Sequence, residues 1–106
     1  MKLSNLLNVD GVKDVIKNNT WTTIYILGPN TEYLEIHTSD GNLPPVKREI
    51  PQEVLEMHVD NIDIETETFD DGNSSATIEG VALDINQFRE VQKLYPDFYN
   101  DDNEYF

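Results

Sequence analysis

The stretch that decides the fold runs from His58 to Phe69, HVDNIDIETETF, through the turn cluster Asp70-Asp71-Gly72-Asn73, into Ser75–Ile85, SATIEGVALDI. In its first part Ile62, Ile64, Thr66 and Thr68 alternate with Asn61, Asp63, Glu65, Glu67 and Phe69. A period of two is the signature of a strand with one face turned inward. The Asp-Asp-Gly-Asn cluster supplies turn chemistry, so the two runs read as one hairpin. In the second run the apolar register shifts around Gly80, as a β-bulge there would produce.

Upstream, Ile50-Pro51 opens a short helix, Gln52 to Met57, anchored by Val54, Leu55 and Val59. Thr20–Leu27, TWTTIYIL, is rich in β-branched and aromatic residues and reads as a strand. Gly28-Pro29-Asn30 turns it into Glu32–Thr38, where Leu34 and Ile36 alternate with Tyr33, Glu35 and His37. Before it, Leu3, Leu6, Leu7, Val12, Val15 and Ile16 mark one helical face, with Ser4 as its N-cap and an interruption at Asp10-Gly11. Downstream, Asp84 or Asn86 caps a last helix whose inner face is Phe88, Val91, Leu94 and Tyr95, and Pro96 ends it. The order is α-β-β-(short α)-β-β-α. It predicts an α+β fold, a four-stranded antiparallel sheet with N- and C-terminal helices packed on one face. Residues 1–96 form a single domain, and residues 97–106 form an acidic aromatic tail without periodicity.

A chain of 106 residues has room for one core, since chains divide into several only beyond roughly 250 residues. Its 21 acids against 7 Lys and Arg give a net charge of −14. Residues 1–48 are electrically neutral, and residues 49–106 hold sixteen acids against Arg89 and Lys93 alone. Direct binding to nucleic acid needs clustered cations and is excluded on this balance. The sign fits a basic protein partner. Zero cysteines exclude disulfide frameworks, thiolate nucleophiles and the common zinc sites. No apolar run has the length of a signal peptide or a membrane span, so a cytoplasmic location is expected and the sequons at Asn18 and Asn73 are fortuitous.

For catalysis, His37 and His58 are the only imidazoles and neither accompanies a nucleophile motif. Asp60, Asp63 and Glu65, or Asp70, Asp71 and Asn73, could offer oxygen ligands to a hard cation, but the calcium-loop spacing is absent. The five glycines stand singly, so no phosphate loop exists. A non-enzyme without cofactor or metal is the expectation. What remains is the acidic surface: Asp63, Glu65 and Glu67 should form a row along one sheet face, about 6.6 Å apart, extended by Asp70 and Asp71. In the tail, Tyr99, Tyr105 and Phe106 are interleaved with Asp101, Asp102 and Glu104, aromatic anchors framed by charge.

In layout the chain resembles small acidic proteins encoded by bacteriophages and mobile elements of Gram-positive bacteria. The residues that carry this are LSNLLNV at 3–9, the strand pair, and IPQEVLEMHVDNIDI at 50–64, about two-thirds of the chain; the tail after Pro96 departs from the shortest members. The resemblance implies an anti-CRISPR or anti-restriction inhibitor that imitates DNA in the bacterial host's cytoplasm. The expected partner is a basic nucleic-acid-binding protein such as a Cas nuclease. An immunity protein neutralising a basic toxin nuclease, or a phage accessory protein without inhibitory role, are the alternatives.

Overall fold

The local patterns become eight elements: α1 (Leu3–Leu7), α2 (Asp10–Asn18), β1 (Trp21–Leu27), β2 (Tyr33–Ser39), α3 (Gln52–Leu55), β3 (Val59–Thr68), β4 (Ser74–Ala82) and α4 (Ile85–Leu94). They belong to a computed structural model that describes residues 1–39 and 50–96. The α+β class and both hairpins are as the sequence predicts. The N-terminal helix is two helices, broken at Asn8-Val9, and Lys2 rather than Ser4 occupies the first N-cap.

The sheet is mixed, and the expectation of a wholly antiparallel one is corrected. Its strand order is β2-β1-β4-β3, with β1 and β4 parallel at the centre and an antiparallel partner outside each. Each hairpin is held by its own turn, but how two hairpins meet is a separate matter. The central places go to β1 and β4, whose Ile24, Ile26, Ala76 and Ile78 are buried, and β2 and the acidic β3 take the edges. Direction then follows from the connection. β2 ends level with Trp21, whereas β3 begins opposite Ala82, at the end of the sheet where β1 finishes. The nineteen residues of sequence between Ser39 and Val59 are a connection of the size that crossovers require.

One face of the sheet carries the core. Ile24, Ile26, Leu34, Ile36 and Ile78 share a buried cluster with Leu3, Leu6 and Leu7 of α1, Val12 and Ile16 of α2, Val54 of α3, and Phe88 and Val91 of α4. All the helices thus lie on one side. Phe88 fits this arrangement because β1 ends at a glycine: a Cβ on Gly28 would stand 2.3 Å from its ring Cζ. Polar links fix the helical layer at its margins. Gln87 on α4 accepts from the His58 backbone N–H at 2.8 Å and donates to the Glu56 carbonyl at 3.0 Å. Arg89 pairs with Glu32 in the β1–β2 turn, to which Gln92 also donates at 3.2 Å. Tyr95 donates its hydroxyl to Glu53 at 2.7 Å, which lowers the Glu53 carboxyl pKa and raises that of the phenol.

Two local features differ from expectation. The bulge lies in β3 between Asp60 and Asp63, not at Gly80 in β4. Gly80 leaves room that the Ile62 side chain fills, approaching to 3.1 Å of where a Cβ would be, and Asn61 takes the extra position with φ +52°. The β3–β4 connection is a three-residue loop closed by Phe69 N–H to the Asn73 carbonyl at 2.8 Å, with Gly72 at φ +89°, the left-handed position such loops reserve for glycine.

Of the two cap candidates for α4, Asp84 holds the position, accepting from the Asn86 and Gln87 backbone N–H groups at 2.9 and 3.1 Å. Asp84→Ala should lower stability by about 1 kcal/mol, read as a shift in the urea midpoint with unchanged slope. An unchanged midpoint would show that the tertiary contacts of α4 hold its first turn without the cap.

Candidate functional site

The side of the sheet away from the helices is open, and it is where the acidic pattern arrives. Strand alternation sends Asp63, Glu65 and Glu67 to this face, and all three are exposed. The pairing register sets them in rows across the sheet: Asp63, Glu79, Tyr25 and Glu35 in one, then Glu65, Thr77, Thr23 and His37, then Glu67, Ser75 and Trp21. The expected row on β3 is therefore the border of a wider acidic field that also includes Glu79 and Glu35. Neither of those two was singled out by sequence. Their strands show no acidic run, and only the register brings them level with Asp63.

Among the described residues no Lys or Arg lies in this field. Among the described residues Lys2 precedes α1, Lys13 and Lys17 lie on α2, and Arg89 and Lys93 lie on α4, so every one belongs to the helical side. The helical elements mix both signs of charge, whereas the open sheet face carries acids alone among the described residues. The basic residues of α2 and the acids of β3 are far apart in sequence and on opposite sides of the fold.

The β2 side of the face is tied together by polar contacts. His37 Nε2 stands 2.8 Å from Glu35 and its Nδ1 stands 3.3 Å from the Thr23 hydroxyl. Burial raises the Tyr25 phenol pKa; the Glu35 charge beside it, Tyr33, the hydrogen bond to Glu35 and the Glu79 charge all add to the rise. Tyr25 therefore remains a hydrogen-bond donor within the acidic field through neutral pH. Its ring meets Tyr33 edge-on with centroids 5.3 Å apart.

At the other end stand Trp21, which is 43% exposed, and Phe69, 37% exposed, with ring centroids 6.2 Å apart and planes inclined at 57°. Beneath them Thr20 Oγ1 accepts from Ser74 N–H at 3.1 Å, and Asp71 accepts from both the backbone and side-chain nitrogens of Asn73, at 2.9 and 3.0 Å. Asp71 thus serves the turn, while Asp70 is exposed beside it. An open depression of about 240 Å³ is lined by Glu65, Thr66, Glu67, Ser75 and Thr77, of which Glu67 and Ser75 share a row with Trp21.

Of the residues singled out by sequence, Asp63, Glu65, Glu67, Asp70 and Asp71 come together along β3 and its turn. Tyr99, Asp101, Asp102, Glu104, Tyr105 and Phe106 lie outside the described residues. His37 sits on the β2 edge and His58 just before β3 at the opposite edge, so they do not share a site. Among the described residues no three His, Asp or Glu side chains converge to hold a metal ion, and no helix is long and apolar enough to cross a membrane. No protein-family model, curated protein or solved structure matches the chain.

Proposed function

We propose that the chain is a non-enzymatic inhibitor that places its acidic sheet face in the basic nucleic-acid-binding groove of a host-defence nuclease, a Cas nuclease being the type of target implied by its resemblance to phage-encoded acidic proteins. The observation that carries this reading is the segregation of charge between layers. Solubility requires only a net charge, and a mixed surface would supply it. Here five carboxylates, Glu35, Asp63, Glu65, Glu67 and Glu79, share one face without a Lys or Arg among the described residues. Such an array repels itself, and a basic groove relieves that repulsion.

Dimensions support imitation of a nucleic acid. Glu35 and Asp63 occupy the two edge strands of one row, and three strand spacings put them about 14 Å apart. That is close to the ~12 Å width of a DNA major groove, across which phosphates face a bound protein.

The test is retention of partners from a bacterial lysate on the immobilised chain, followed by competition. Retained proteins should be basic and nucleic-acid-binding, should elute as salt rises from about 0.05 to 0.5 M, and should be displaced by added duplex DNA. Partners that resist both salt and DNA would overturn the reading.

A further inference from the structure

We infer that the Trp21–Phe69 pair, with the depression whose Glu67 and Ser75 share the Trp21 row, is an arginine anchor: the point at which a guanidinium group of the basic partner stacks and is gripped. The inference rests on the reading of the acidic face given above and adds to it a residue type and a place. Two large aromatics this exposed, in contact with each other, are a costly use of surface, since Trp is among the most buried residues on average. The rings are tilted at 57° rather than stacked, and Trp21 keeps much of its surface exposed.

Charge says what fits there. Glu67 shares the Trp21 row through Ser75, and Phe69 follows Glu67 on the same face of the sheet. The depression that begins at Glu67 and Ser75 is open and bordered by two carboxylates, Glu65 and Glu67. A cation is therefore drawn to the spot, an aromatic face receives its flat side, and carboxylates accept its hydrogen bonds. Arginine has a planar cation that can stack and donate in a fork at once; the lysine ammonium is a compact, strongly hydrated point charge and does neither as well. The turn below is held by Asp71, Asn73 and Thr20, so the rings stand on a rigid base.

Trp21 is the only tryptophan of the chain and reports directly on its own site. The whole protein would be titrated with two synthetic peptides of equal length and charge, one alternating Arg with Ser and the other Lys with Ser, following Trp fluorescence and heat of binding. The Arg peptide should bind about fivefold more tightly and perturb the fluorescence more strongly. Phe69→Ala and, separately, Trp21→Leu should reduce that preference to within about twofold, with binding of the Lys peptide unchanged. Changing Asp63, Glu65 and Glu67 to their amides should weaken both peptides, and the Arg peptide more, since Glu65 and Glu67 border the depression. Circular dichroism melting establishes that each variant is folded, and either aromatic variant alone suffices for the comparison. Equal affinities for the two peptides, or an Arg preference that survives both aromatic substitutions, would overturn the anchor and leave the acidic-face reading standing. If neither peptide bound, both would fall.

Discussion

Phe88→Ala should cost about 3–5 kcal/mol of folding stability, the range for removing a fully buried aromatic ring. Against a total of about 5–15 kcal/mol for a domain, that leaves a protein partly unfolded at moderate temperature. The side chain is completely buried and belongs to the cluster joining α4 to β1, β2 and β4. Its ring lies against Gly28 so closely that no other residue fits there without displacement, because a Cβ would fall 2.3 to 2.7 Å from three ring atoms. Gly28→Ala should accordingly cost about 1–3 kcal/mol by overpacking. The two positions share one contact, so combining Gly28→Ala with Phe88→Leu should cost less than the sum of the single changes. Urea midpoints of the four proteins decide it. Strict additivity would mean that the ring and the glycine are not energetically coupled.

The second large effect concerns binding. Reversing Asp63, Glu65 and Glu67 together to Lys moves the net charge from −14 to −8 and places three cations along the edge of the open face. All three side chains are exposed, so the fold should persist. Loss of steering should slow association with a basic partner by about 10- to 1,000-fold at low ionic strength and flatten the dependence of the rate on salt. Lys13→Glu with Lys17→Glu, on the helical side, is the control and should leave the rate close to that of the parent. Stopped-flow association at several salt concentrations makes the comparison. Binding through the helical layer would give the opposite ranking of the two variants.

Much of the architecture is legible from residue order because it depends on near neighbours. The alternation in β3, the Asp-Asp-Gly-Asn turn and the Asp84 cap each need only a few consecutive residues to be energetically satisfied, and each appears where the pattern places it. The bulge expected at Gly80 in β4 lies instead in the partner strand, between Asp60 and Asp63 of β3. The signal came from Gly80, whereas the extra residue sits across from it, where Ile62 fills the space that the glycine leaves.

For the acidic face, the β3 row was legible and its extent was not. Glu79 comes level with Asp63 through the β3–β4 hairpin register beyond the bulge, and Glu35 joins them only because the parallel β1–β4 pairing carries the row on to Tyr25 and its β2 partner. Trp21 and Phe69 are 48 positions apart and become neighbours only because Trp21 stands opposite Ser75, next to the turn that carries Phe69. Sequence reading placed its aromatic anchors in the tail, where aromatics and acids are adjacent in the chain.

The sequence by itself determined the charge, the element types, both hairpins and the face on which the β3 acids lie, since strand period and turn chemistry act over a few residues. Tertiary structure alone decided that the hairpins meet through β1 and β4 in parallel, and that the bases of the described residues stay with the helices while the open sheet face carries only acids. Those outcomes depend on which apolar faces bury each other and on where the connection from β2 to β3 must end. Both are long-range terms that no local window of residues contains.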